Sequence, residues 1–518
     1  MTKLFKHAKT VSAFTGISRI LGLVREILMA DFFGTSLAKS VFDVAFRIPN
    51  LFRRLFGEGA LSAAFIPVFS ETIEKEGEDA ARLLAGRVFT MLTTLLTLIT
   101  VSSITIITIA INHADLGLKW AAVLPLLRIM LPYMIFICLV ALAMGILNAN
   151  MRFAAPAATP IILNLVWIAS LYLLCPRFGD TLQQQIHGVA WGVLLAGVIQ
   201  LAIQIPALAH CSMLPRISFN WRDPHIRRIL ILMGPAALGM GIHQINVVID
   251  GALALCVSNW APSALTYSER LVYLPLGIFA TALSTILLPT FSQHALHNDH
   301  HNITSAINDS VRGLMLVMLP AAAGLIVLAA PIVQLVFEHG EFTPESTTQT
   351  ARALYFYAPG LVVFSLYKIL TPAFYAMKDT RTPVKIGIIC VLVNLALNIT
   401  FIFTWPTDYR HAGLACATVI ASALNSAILA IILARRIGTP GWLNILASFA
   451  RTAVATLIMA AVAFAVHHTL PHIASCFEAT STSGQLLNIA ISITMAMLAY
   501  SAAAITICRS ECRIIIHR

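Results

Sequence analysis

The chain has 518 residues, of which 58% are hydrophobic and 11% charged; its mean hydropathy is +0.84 and its formal net charge +11. Soluble domains carry roughly 25% charged residues, so these values exclude a soluble globular protein and define an all-α polytopic membrane protein. The basic excess is the bias expected of cytoplasmic loops and gives nucleic acid no role.

The basic N-terminus MTKLFKHAKT runs into an apolar segment without a small-residue cleavage site, which predicts a retained first transmembrane helix rather than a signal peptide. Apolar runs of about 20 residues or more mark spanning helices. They fall at 10–32, 38–70, 85–111, 122–149, 156–175, 187–209, 226–257, 262–293, 305–335, 347–377, 382–404, 412–435, 445–468 and 485–508, fourteen in all. The second and eighth are too long for one straight span, so breaks are expected near Pro49 and Pro67 and near Pro275 and Pro289. Nine cysteines stand singly, most inside apolar runs and none in CxxC spacing, so neither a disulfide framework nor a zinc site is expected.

Fourteen spans put both termini on one side. The loops and tails of that side hold nineteen Lys and Arg; the opposite loops hold four, Lys39, Lys119, Arg177 and Arg410. The asymmetry places both termini in the cytoplasm. The chain also repeats itself. ALSAAFIPVFS (60–70) matches ALSTILLPTFS (282–292) at six of eleven positions, 222 residues on, and Pro132 and Pro156 answer to Pro359 and Pro383. Two six-helix halves of equal orientation are therefore expected, 1–210 and 211–440, followed by two extra helices in 441–518. Parallel repeats of this kind are a transporter architecture, with the binding site between the halves.

Charges inside apolar helices cost at least about 2.5–3.5 kcal/mol each at the bilayer centre. SRILGLVREILMADFFG (18–34) carries Arg19, Arg25 and Glu26, and the next span carries Asp43, Arg47, Arg53, Arg54 and Glu58. Arg47 and Arg54 are seven apart and share a helix face with Asp43. In the other half, Glu269 and Arg270 stand early in span 8. Arginine reads phosphate through its planar fork, so a cationic cavity implies an anionic substrate. Snorkelling, or pairing with Asp43, Glu26, Glu58 and Glu269, is the alternative for any single arginine. Asp250 in span 7, Asn394 and Asn398 in span 11 and Thr418 in span 12 are hard oxygen donors of the type that suits Na⁺; interhelical hydrogen bonding is the plainer reading of the Asn and Thr residues. His294, His297, His300 and His301 lie in a polar loop and read as solvated. EKEGED (74–79) reads as a solvated connector. No phosphate-binding glycine loop, nucleophile elbow or HExxH occurs, and no catalytic set is expected.

SRILGLVRE, VAFRIPNLFRRLFGEGALSAAFIPVFSE, YSERLVYLPLGIFATALSTILLP, LVFEHGEFT and FYAMKDTRTPVKI together resemble the lipid II flippases of peptidoglycan synthesis, the MurJ (MviN) family of the multidrug/oligosaccharidyl-lipid/polysaccharide exporter superfamily. The resemblance runs across essentially the whole chain. It implies two six-helix lobes around a cationic cavity and two further helices forming a lipid-tail groove. It also implies alternating access in the bacterial inner membrane, with the substrate diphosphate on Arg19, Arg25, Arg53 and Arg270. Lipid II and membrane lipids are the partners it implies; docking of peptidoglycan-synthesis enzymes stays open. No cofactor is implied, beyond Na⁺ coupling reported for part of the family and the membrane potential, which acts on an anion with ~2.3 kcal/mol per charge per 100 mV. Glu26 and Glu269 stand where the family often has Asp, and Lys39-Ser40 stands where it often has an acid. A flippase for another polyprenyl-diphosphate-linked glycan fits the same architecture. A cation-coupled drug exporter fits it less well, because its cavity should carry acids.

Overall fold

The computed structural model describes residues 2–57, 60–220, 222–297, 299–473 and 482–516. Among them every regular element is helical, and the chain divides into two compact units, Met1–Ser263 and Ala264–Arg518. The first unit holds α1 (Thr2–Phe33), α2 (Leu37–Phe52), α3 (Ala60–Glu76), α4 (Glu78–His113), α5 (Leu118–Met130), α6 (Tyr133–Ala149), α7 (Ala154–Leu173), α8 (Leu182–His210) and α9 (Pro224–Val257). After α10 (Ala261–Pro275), which begins at the boundary, the second unit holds α11 (Thr281–Leu296), α12 (His300–Val327), α13 (Ala329–Phe337), α14 (Pro344–Tyr357), α15 (Gly360–Ala376), α16 (Arg381–Thr404), α17 (Arg410–Ile437), α18 (Trp442–Ile473), α19 (Thr482–Ile507) and α20 (Arg509–Ile516).

Each of the fourteen apolar runs corresponds to one helix or one broken pair. Nine of these segments among the described residues are long and apolar enough to cross a membrane, and eleven if the bent pairs α5–α6 (41°) and α14–α15 (45°) each count as one span. The runs that fall short on this measure are the first, second and seventh. The first two carry the arginines that lower their apolarity. On α4 the apolar side chains of Leu98 and Ile106 are 64% and 66% exposed, a face that suits hydrocarbon on a helix long enough to span a membrane.

The two long runs do break, and at matching places. A π-helical turn at Arg53–Gly57 follows α2, and another at Leu276–Ala280 follows α10, so the two start 223 residues apart, in step with the sequence repeat. Pro275 immediately precedes its π turn and Pro49 lies four residues before the other. Proline removes an N–H and crowds the carbonyl one turn back, which favours a local switch to wider i→i+5 bonding. Pro67 and Pro289 sit inside α3 and α11 without interrupting either helix.

The expected division after residue 210 and the compact-unit boundary after Ser263 differ by one helix. Within the first unit α9 packs against α2, α3 and α4. The aliphatic core of this unit contains an aromatic cluster: Trp167 stands edge-on to Phe42 (5.3 Å) and Phe46 (5.2 Å), and Phe46 meets Tyr133 at 6.3 Å. In the second unit Tyr267, Phe337 and Phe342 form a buried triplet with ring centres 5.0–5.9 Å apart. Each such pair adds about 0.5–1.5 kcal/mol beyond the area it buries.

Candidate functional site

In the first unit Arg25, Glu26, Lys39, Asp43, Arg47 and Arg53 lie among apolar helices, and each meets a protein partner. Arg25 is well enclosed, with its side chain 11% exposed. Its Nη2 donates to Glu26 Oε1 (2.6 Å) and its Nη1 to Asn164 Oδ1 (3.0 Å), and its guanidinium lies over the Trp167 ring at 4.4 Å. Asn164 in turn donates from Nδ2 to Ser18 O (3.1 Å), bridging α7 back to α1. Arg19, one and a half turns before Arg25, is exposed.

Residues of α2 and its π turn point their charges to α9. Arg47 donates to the carbonyl of Val247, and Arg54 reaches Gln244 Oε1 at 3.5 Å. The two arginines thus grip α9 three residues apart, consistent with their shared face. Arg53 bonds locally, Nε to Asn50 Oδ1 at 2.8 Å. Glu58 lies outside the described residues.

Lys39 corrects the sequence-based topology count. It was expected in a loop, but Ser36 caps α2, accepting from the Lys39 N–H at 3.4 Å, and Lys39 lies within the helix, 1% exposed. Its Nζ donates to both carboxylate oxygens of Asp43 at 2.6 Å. A lysine inside the bundle cannot be counted among loop charges. Asp43, which shares a helix face with Arg47, is engaged directly by Lys39 instead.

The residues expected to hold a cation fall into two groups. Asp250 on α9 belongs to the first unit and accepts from Asn246 Nδ2 at 3.0 Å. Asn394 and Asn398 on α16 and Thr418 on α17 belong to the second. There Asn398 donates to Asn394 Oδ1 (2.9 Å) and Asn394 to Thr418 Oγ1 (3.4 Å). The three neutral side chains form an interhelical hydrogen-bond network, each with a protein partner. Glu269 and Arg270 lie on α10, Arg270 exposed and Glu269 partly so. His294 lies in the last turn of α11, His297 caps its C-terminus, and His300 and His301 open α12. Asp299 between them accepts from Asn302 N at 3.1 Å, and its carboxyl is held below the usual range chiefly by that backbone bond. Among the described residues no three His, Cys, Asp or Glu side chains converge on a metal-sized site.

The second unit also holds an apolar cavity of about 380 Å³ lined by residues of α12, α15, α17 and the start of α18, among them Val311, Leu370, Ile431 and Trp442; none of its lining comes from α19. Sequence reasoning missed Asn164 and Trp167. The available signal was weak: one amide and one indole, three residues apart, in the apolar run of α7.

Comparison with known proteins gives a consistent result. Residues 29–482 match the family described as lipid II flippase MurJ. The chain is 36% identical over 470 residues to the lipid II flippase MurJ of Burkholderia cenocepacia, covering 88% of this chain and 89% of that one. It is 38% identical over 439 residues to a probable lipid II flippase MurJ of Vibrio cholerae, covering 82% of each. Among solved structures, a lipid II flippase MurJ in an inward closed conformation superposes with a TM-score of 0.75 at 26% identity, covering 95% of this chain and 98% of that one.

Proposed function

This chain belongs to the MurJ family of lipid II flippases, and on that premise we propose that it carries lipid II from the cytoplasmic to the periplasmic leaflet of the bacterial inner membrane by alternating access. Lipid II is a polyprenyl diphosphate bearing a disaccharide and a peptide. Its diphosphate is the part that hydrocarbon rejects most strongly, so a transport path must supply fixed cations.

The observation that carries the reading is Arg25, a guanidinium enclosed in an apolar helix bundle by Glu26, Asn164 and Trp167. An ion pair alone, Arg25 with the adjacent Glu26, would be more cheaply replaced by apolar side chains. Its retention makes sense if a second anion displaces Glu26 during the cycle. In the proposed cycle the diphosphate exchanges with Glu26 at Arg25, Arg53 gives a second fork, and Arg270 contributes a further cation from the second half of the sequence. Arg19, exposed near the start of α1, adds attractive field. The polyprenyl tail stays in lipid along the C-terminal helices. Return of Glu26 to Arg25 releases the diphosphate, and a membrane potential negative inside favours its departure.

The test is exposure of lipid II on the outer leaflet of cells stripped of their own flippase. They would express the native chain, Arg25→Ala or Arg25→Lys at matched membrane levels. Exposure with the native chain, near-complete loss with Arg25→Ala and partial loss with Arg25→Lys is expected, since Lys keeps charge but not the fork. Full exposure with Arg25→Ala would remove Arg25 from the path. No exposure with a folded native chain would point to another polyprenyl-linked glycan.

A further inference from the structure

We propose that Asn164 and Trp167 on α7 are positioning residues that fix the plane and direction of the Arg25 guanidinium for the diphosphate; this rests on the reading that Arg25 binds that group. An arginine side chain has about 2 kcal/mol of rotamer entropy to lose, and a fork that is already oriented loses less of it on binding. Glu26 cannot supply that orientation. It is the next residue on the same helix, so it moves with Arg25.

The two α7 side chains supply it from outside α1. Trp167 gives the guanidinium a flat face at 4.4 Å, and the ring itself is fixed on three sides. Its Nε1 donates to Met29 Sδ (3.2 Å), and Phe42 and Phe46 stand nearly perpendicular to it, at 77° and 85°. Asn164 fixes rotation within that plane. Its Oδ1 accepts from Nη1, and its own orientation is set because Nδ2 donates to Ser18 O two turns earlier on α1. Both residues are buried, Asn164 at 6% and Trp167 at 4% exposure. An amide is well suited to the role: it accepts from the guanidinium without adding a negative charge that would compete with the diphosphate.

The experiment measures binding of undecaprenyl diphosphate, and of undecaprenyl monophosphate for comparison, to the full-length protein in lipid nanodiscs. Asn164→Leu and Trp167→Leu should each weaken diphosphate binding roughly three- to thirtyfold, with a smaller loss for the monophosphate, which needs less of the fork. Asn164→Asp gives up the Nδ2 donor to Ser18 O, so it should lower the melting temperature modestly, and it should lose diphosphate affinity in the folded protein because its carboxylate occupies the guanidinium. Trp167→Phe should retain part of the affinity. In an Arg25→Met background the α7 substitutions should have no further effect, the non-additivity expected of residues that act through one another. The proposal is overturned if Asn164→Asp binds diphosphate normally, or if the α7 substitutions cost the same with and without Arg25. If Arg25→Met alone leaves diphosphate affinity unchanged, the reading of Arg25 fails instead, and the two failures are distinct.

Discussion

Lys39 and Asp43 face each other one turn apart on α2, with the lysine ammonium 2.6 Å from both carboxylate oxygens and only 2% and 11% of the two side chains exposed. Two charges that would each be costly alone become a neutral unit inside the bundle. Removing one partner leaves the other buried and unpaired, which costs about 3–5 kcal/mol, whereas replacing both with apolar side chains of like size is often neutral. Lys39→Met should therefore lower the melting temperature in detergent sharply, and Lys39→Met with Asp43→Leu should restore most of it. A double variant no more stable than Lys39→Met would show that Asp43 has a role apart from Lys39.

Much of this fold was legible because charge inside an apolar run is rare. The arginines of α1 and α2 announced themselves, the fourteen apolar runs each became a helix or a broken pair, and the excess length of the second and eighth runs pointed to breaks, which fall by Pro49 and Pro275 and not at Pro67 or Pro289. Lys39 misled because hydropathy sees a polar gap between two apolar runs and reads a loop. The corrective signal was local: Gly34 at φ +53° and the Ser36 cap end one helix and begin the next within a few residues, so Lys39 already lies on α2 one turn from Asp43. Asn164 and Trp167 were invisible for a different reason. A neutral amide and an indole cost an apolar helix little, and their importance lies in what they touch on α1, which only the folded chain specifies.

Residues 211–220 lie along α4 as a strap. Arg82 donates to Leu214 O (3.2 Å), the Ser218 N–H to Thr90 Oγ1 (3.0 Å), and Arg87 pairs with Asp223, which also accepts from the His225 N–H (2.7 Å) at the start of α9. Gly86 makes this possible: a Cβ there would collide with the backbone carbonyl of Arg216. Gly86→Val should lift the strap while leaving α4 helical. Losing these contacts amounts to roughly 1–3 kcal/mol, or about ten- to hundredfold faster trypsin cleavage at Arg216 and Arg222. Cleavage at the native rate would mean that the strap is not held by its approach to Gly86.

Beyond α19 the short helix α20 is held by one carboxylate. Glu511 is fully buried, and its Oε1 accepts from Arg312 on α12 (3.0 Å) and from Arg451 on α18 (2.6 Å), while Ser510 donates to Oε2 (2.7 Å). Burial pushes its pKa up, but the hydrogen bonds from Ser510 and the two arginines outweigh that and hold it at about 2, below an ordinary value of 4.5. A carboxyl with a depressed folded pKa stabilises the docked helix fully above its unfolded pKa and loses that contribution as pH falls through the folded one. Residues 509–516 should thus stay protected from amide hydrogen exchange at neutral pH and lose protection progressively between about pH 4.5 and pH 2. Glu511→Gln should undock the helix at neutral pH, at a cost of about 3 kcal/mol, because it leaves two arginines facing a neutral amide. Arg312→Gln and Arg451→Gln should each give part of that loss. Protection that is independent of both pH and Glu511→Gln would assign the docking of α20 to its apolar face, where Cys508 and Cys512 pack with Leu316, Ala455 and Ala504.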